Sequence, residues 1–222
     1  MAQLESLVVD ARGAGCEESL ERLVSYLARD RGYAGNADDY YSADNSDLSV
    51  VLERQQGIPI TLAIVYIEIG AALGFDLRGI GFPGHFLVGR YLPVPDAPEA
   101  TGNSGVVRPV EVDLLDPFAG KLTDRASCLE NLARASANAE ASRKDWPQAQ
   151  IDDWFAPSTS LQIALRLLEN LKQIYLQTGA QGDALATLDL QLLVAPESFE
   201  LLQQQKALSA HIFGREDKPP VH

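Results

Sequence analysis

Thr61, His85 and Asp116 have the residue types and the chain order that acyl-transfer chemistry uses. His85 follows Pro83-Gly84 at the expected start of a strand, between Phe82 and Phe86. Histidine is the usual general base, and a strand edge beside a tight turn mounts one firmly. A half-buried histidine that only hydrogen-bonds a backbone carbonyl would look the same in sequence. Asp116 precedes Pro117 at the expected end of a strand. It could accept from a histidine ring nitrogen and set the tautomer. Asp-Pro is also a common turn former, and Asp113 competes three residues earlier. Thr61 lies in the first turn of an expected helix. A cysteine there would have its thiolate favoured by the positive helix end. A hydroxyl gains little from that and needs a strong adjacent base, so a first-turn threonine bonded to backbone is the plainer reading. His211 and His222 have no comparable setting.

The helix that would mount Thr61 is GIPITLAIVYIEIGAALG, residues 57–74. Between Ile60 and Leu73 its only polar side chains are Thr61, Tyr66 and Glu68. Pro59 suits its first turn, where a missing N–H costs nothing. Gly74 suits its left-handed end. Glu68 comes two turns after Thr61 on the same face. If that face is buried, its carboxylate needs a partner such as Arg54, Arg78 or Arg90.

Around this helix the pattern is mixed. Residues 17–29 carry Leu20, Leu23, Val24 and Leu27 at helical spacing. Asn45 or Ser46 is placed to cap a second helix with Leu48, Val51 and Leu52 on its apolar face, broken by Gly57. After Gly74 the period changes to that of strands. DLRGIGF and HFLVGRYL flank the Pro83-Gly84 turn, residues 93–105 read as an exposed Pro/Gly loop, and 106–115 as a further strand ending in a DPFAGK turn. Helix returns from about Leu122. Residues 137–159 are weakly patterned and read as a linker. Helices are expected over about 160–178, 181–194 and 197–213, the first with a stripe of Leu161, Leu165, Leu168, Leu171 and Tyr175. The fold class is α+β: a core over 1–136, the linker, and a helical tail over 160–222. Helix, short turn, helix, proline, helix is the grammar of a tetratricopeptide unit. One unit is too small to stand alone, so the tail should pack on the core.

Composition narrows the function. The 222 residues are 46% apolar, with 31 acidic against 18 basic residues and a net charge of -13. Such a surface repels phosphate backbones and anionic lipid, so no nucleic-acid or membrane partner is expected. The first 15 residues lack the charged and apolar regions of a leader, and the apolar run 60–67 is too short to span a bilayer. A cytoplasmic protein is therefore expected. Cys16 and Cys128 read as free thiols. The scattered His and Cys offer no metal site, and no phosphate-binding glycine motif is present, so no cofactor is expected.

Residues 45–90, with GIPITLA and FPGHF, then DLLDPFAGKL at 113–122 and the helical words at 170–198, resemble the bacterial Sir B type proteins. These join a transglutaminase-like, papain-related core to a tetratricopeptide-like tail. The resemblance implies that Thr61 or its immediate neighbourhood stands where active transglutaminases carry the nucleophilic cysteine. It places His85 and Asp116 as the catalytic histidine and aspartate, and Asn45, Pro59, Glu68, Gly84 and Phe86 around the cleft. Neither cysteine lies at the helix start. The implied protein is a degenerate, non-enzymatic module that binds a protein or peptide through the old cleft. The rivals are an amide hydrolase or acyltransferase using Thr61, His85 and Asp116, and a tetratricopeptide adaptor with an inert front domain.

Overall fold

The computed structural model describes residues 2–92, 110–135 and 146–213. The expected 93–105 loop, the first residues of the expected 106–115 strand, residues 137–145 of the expected linker and His222 lie outside the described residues.

The chain begins with α1 (Ala2–Gly13), buried through Leu7 and Ala11 one helical turn apart. Helix α2 (Leu20–Ser25) is capped by Ser19, whose side chain accepts from the Arg22 amide, and runs on into a π-helical turn, Tyr26–Asp30. Helix α3 (Leu48–Arg54) is capped by Asp47 and not by Asn45 or Ser46: Asp47 accepts from the amides of Ser49 and Val50. The Asn45 amide is used elsewhere, on the carbonyls of Asp39 and Tyr40. Strand β1 (Ala34–Gly35) pairs in parallel with β2 (Gln56–Gly57) just ahead of α4 (Pro59–Ala72). Proline opens α4 as expected. Its far end is closed by Arg12 of α1, which donates to the Ala72 carbonyl at 2.6 Å.

Four antiparallel strands follow in the order β3 (Leu77–Ile80), β4 (Leu87–Leu92), β5 (Val110–Asp116) and β6 (Lys121–Thr123). The short β6 was not anticipated. α4 lies against this sheet, and Ile60, Leu62, Val65 and Ile69 join Leu23, Leu27, Val88 and Leu115 in the main core. At about 25 cal/mol per Å² of apolar surface removed from water, this layer is the main stabilising contribution. A smaller cluster of Ile80, Phe82, Leu87, Leu114, Cys128 and Phe155 lies under α5 (Arg125–Ala135) and α6 (Gln148–Trp154). Helix α6 falls within the stretch expected to be a linker.

Three helices complete the described chain: α7 (Ser160–Gln177), α8 (Gln181–Val194) and α9 (Phe199–Phe213). Thr159 and Gln162 form a capping box at the start of α7. The expected leucine stripe is not its contact face with the core. Ile163 and Leu167 pack there, while Leu161 is 54% exposed. α7 has neighbours on more than one side, so its apolar residues are not confined to one stripe. Lys172, outside the stripe, is 1% exposed and reaches Gln204 of α9 and Glu169.

Candidate functional site

Val88 of β4 pairs with Leu115 of β5. The residues before Val88 and after Leu115 therefore meet at one end of the sheet, and there His85 and Asp116 touch. His85 Nε2 lies 2.9 Å from Asp116 Oδ1. The same oxygen accepts from the amides of Phe118 and Ala119, each at 3.0 Å. Asp116 is thus a turn former and the hydrogen-bond partner of His85 at once. Asp113, the competing carboxylate, pairs with Arg90 instead. Burial opposes ionisation of Asp116, but the His85 hydrogen bond and the two amides outweigh it and hold its carboxyl below the usual range. The carboxylate orients the imidazole so that Nε2 is the ring nitrogen that donates to it. Phe118 stands edge-on to His85, ring centroids 6.5 Å apart.

Thr61 is not drawn into this pair. Its hydroxyl donates towards the carbonyls of Asn45 at 2.8 Å and Ile58 at 3.0 Å, and accepts from the Ile58 amide at 3.2 Å. Its side chain is fully buried. It serves as an internal cap that ties the 36–46 loop to the start of α4. Among the described residues it makes no hydrogen bond to His85.

Glu68 corrects the expectation of a buried carboxylate. It is exposed. The three arginines suggested as its partners pair with aspartates instead: Arg54 with Asp44, Arg78 with Asp76 and Arg90 with Asp113. Besides Thr61, α4 buries the polar side chain of Tyr66. It is 0% exposed, its hydroxyl has no hydrogen-bond partner among the described residues, and burial together with the Asp116 charge raises its pKa.

Beside the pair lies a cavity of about 470 Å³. His85, Asp116, Thr123, Ser127, Cys128 and Asn131 are in its walls, with Phe82, Leu87 and Leu122 supplying apolar surface. Of the residues expected around the cleft, Gly84 lines it. Asn45 and Pro59 are buried beside Thr61, and Phe86 is buried in the main core. The walls come mainly from the sheet end and α5, a helix whose contribution no local motif announces. Cys128 of α5 reaches the same cavity as His85. Burial raises its thiol pKa, a Thr123 hydrogen bond partly offsets that, and Asp116, Asp124 and Glu111 add to the rise. Cys16 is also free and buried. Among the described residues no group of three or more His, Cys, Asp or Glu side chains could hold a metal ion, and no helix is long and apolar enough to cross a membrane.

The family model described as Transglutaminase-like superfamily matches residues 1–169. A UPF0162 protein of Xylella fastidiosa (strain Temecula1) is 37% identical over 180 residues, 81% of this chain and 57% of the relative. The UPF0162 protein of Pseudomonas aeruginosa is 30% identical over 171 residues, 76% of this chain and 52% of the relative. The human F-box only protein 21 is 36% identical over 87 residues, 39% of this chain and 12% of that protein. The chain thus spans about half the length of the UPF0162 relatives with which it aligns most fully. No solved structure matches it.

Proposed function

This chain belongs to the transglutaminase-like superfamily, and from that premise we propose that it is a degenerate, Sir B type member that binds a protein or peptide and performs no acyl transfer. One observation carries the reading. His85 and Asp116 keep the hydrogen-bonded geometry of a catalytic pair beside an open cavity, while the Thr61 hydroxyl is buried and bonded to backbone. A pair without an available nucleophile cannot open an acyl bond covalently. It can still fix a ligand, since it presents a carboxylate, an imidazole and apolar surface in one hollow. The boundaries 1–136, 137–159 and 160–222 and the tetratricopeptide character of the tail belong to this proposal. So does the tail's part in shaping the ligand surface from a packed position on the core. A cytoplasmic location agrees with the acidic surface and the two free thiols.

The test is binding. The full chain and an Asn131→Trp variant, which fills the cavity from α5, would be used to capture partners from lysate. Each captured protein would then be purified and titrated against both forms. A partner that binds the wild type and loses affinity at least tenfold for the variant supports the reading. Partners that bind both forms equally sink it.

A second reading is favoured by Cys128, whose thiol shares the cavity with His85 and Asp116. A thiol enzyme with a relocated nucleophile would incorporate amines into a glutamine-bearing protein and lose that activity with iodoacetamide. The raised pKa of Cys128 argues against this. The rival with Thr61 as nucleophile would show the same activity, resistant to iodoacetamide and lost in Thr61→Ala.

A further inference from the structure

The turn that carries His85 is closed from outside the sheet. The His85 amide donates to the Phe82 carbonyl at 3.0 Å. Pro83 and Gly84 stand between them, with Gly84 at φ 69°, the left-handed value that the third position of a type II turn requires. Both end carbonyls of this turn meet one nitrogen of Arg166. Its Nη2 donates to Phe82 O at 3.1 Å and to His85 O at 2.6 Å. Arg166 belongs to α7, 81 residues further along the chain. Its guanidinium lies over the Phe86 ring, 5.3 Å from the centroid. A β-carbon at Gly81 would come within 2.9 Å of Nη1, so the guanidinium sits where a glycine leaves room. The segment ahead of α7 is seated on the same strand end: the Ser158 amide donates to Gly79 O at 2.7 Å, and Pro157 bridges to Ile80.

Among the described residues Arg166 has no carboxylate partner. Its side-chain hydrogen bonds among the described residues go to the two end carbonyls of the Pro83-Gly84 turn. An arginine suits this task because its planar head holds two acceptors at once while a ring covers its face. Without it, the Phe82 carbonyl would keep only the His85 amide, and the His85 carbonyl would lose its Arg166 donor, so the peptide plane after His85 would turn towards water. Rotation at His85 carries the imidazole away from Asp116.

We propose that Arg166 is a positioning residue for the His85–Asp116 pair, so that the seating of α7 on the core sets the geometry of the cavity wall. The functional weight of this coupling rests on the reading that the cavity beside His85 is the working site. The coupling itself is a property of the free chain.

The experiment titrates the Asp116 carboxyl by carbon NMR in the full chain with labelled aspartate. His85→Ala defines the shift expected when the imidazole partner is lost, which is upward. Arg166→Met keeps the stem over Phe86 and removes both donors. Gly81→Ala displaces the guanidinium from the other side with its charge retained, since the flexible end of Arg166 must give most, with Ser158 Oγ, 3.3 Å from the added carbon, yielding slightly. Gln173→Ala, on the same helix and away from the turn, is the control.

The expected result is an upward shift of the Asp116 midpoint in Arg166→Met of at least half that in His85→Ala. A smaller upward shift is expected in Gly81→Ala, and none in Gln173→Ala. An unshifted midpoint in Arg166→Met or Gly81→Ala would overturn the proposal, even where the melting temperature falls, because Arg166 would then only fasten the tail. Should Arg166→Met not fold, Gly81→Ala decides alone. The titration needs no ligand, so it can fail while the binding result stands, and the reverse.

Discussion

His85 Nε2 stands 2.9 Å from Asp116 Oδ1, and that same oxygen also collects the amides of Phe118 and Ala119. Three donors on one carboxylate oxygen make Asp116 the fixed point of the site. The imidazole is placed against it, and the turn is folded around it.

The stability of the fold should therefore depend on the ionisation of Asp116. Its pKa is lowered in the folded state, from about 3.9 in an unfolded chain. The folded chain then binds fewer protons than the unfolded one near pH 4. The contribution is full above the unfolded value and lost as pH falls through the folded one. Asp116→Asn should cost about 1–3 kcal/mol at pH 7. The gap between variant and wild type should narrow below pH 4. Urea melts at pH 7 and near pH 3 check this, and a gap that widens on acidification would contradict it.

Thr61 should behave as a structural cap. Thr61→Val leaves the Ile58 amide and the Asn45 carbonyl without the hydroxyl they now share, at a cost of about 1–3 kcal/mol. Thr61→Cys should be alkylated more slowly than an exposed cysteine, because the position is fully buried and turned to backbone. Rapid reaction of that cysteine with iodoacetamide would show that the side chain faces His85 after all.

Both native thiols should be quiet. Burial raises the pKa of Cys16, partly offset by Arg22, and it raises that of Cys128 beside three carboxylates. Thiolate is the reactive form. In the folded chain neither should react with a chromogenic disulfide at the rate of a free thiol, and both should react in denaturant. A fast single equivalent in the native state would identify a cavity thiol more accessible than its burial allows.

The tail should depend on Lys172. Its ammonium bonds Gln204 of α9 and Glu169. Glu169 also accepts from Gln173 and from Gln191 of α8. Burial opposes the Glu169 charge, and these bonds lower its pKa overall. Lys172→Met should cost about 1–3 kcal/mol, less than breaking a fully buried pair, because Glu169 reaches solvent. Hydrogen exchange should show the loss as faster opening of α8 and α9, with α4 and the sheet unaffected. Equal acceleration in α4 would mean that core and tail unfold as one unit.

What was legible in the sequence is what local chemistry decides. Pro59 begins α4 because a first-turn proline forgoes an N–H that the helix does not need, and Pro83-Gly84 makes a turn because their backbone preferences match its two central positions. The change of period after Gly74 and the Pro83-Gly84 turn marked β3 and β4, leucine spacing marked α7, and its flanking turn residues marked α8. The candidate pair was legible for the same reason: His85 and Asp116 each adjoin a turn that ends a strand. Orientation and company were not legible. A helix as uniformly apolar as α4 carries no signal of which face is covered, so Glu68 could not be told from a buried residue until the neighbours were in place. Thr61 found its partners in the loop before its own helix, Cys128 entered the cavity from a helix 43 residues beyond His85, and Arg166 reached the His85 turn from further still. Those contacts depend on how whole elements dock. A side chain's partner is set by the packing of layers distant in the chain, which spacing along the sequence does not encode.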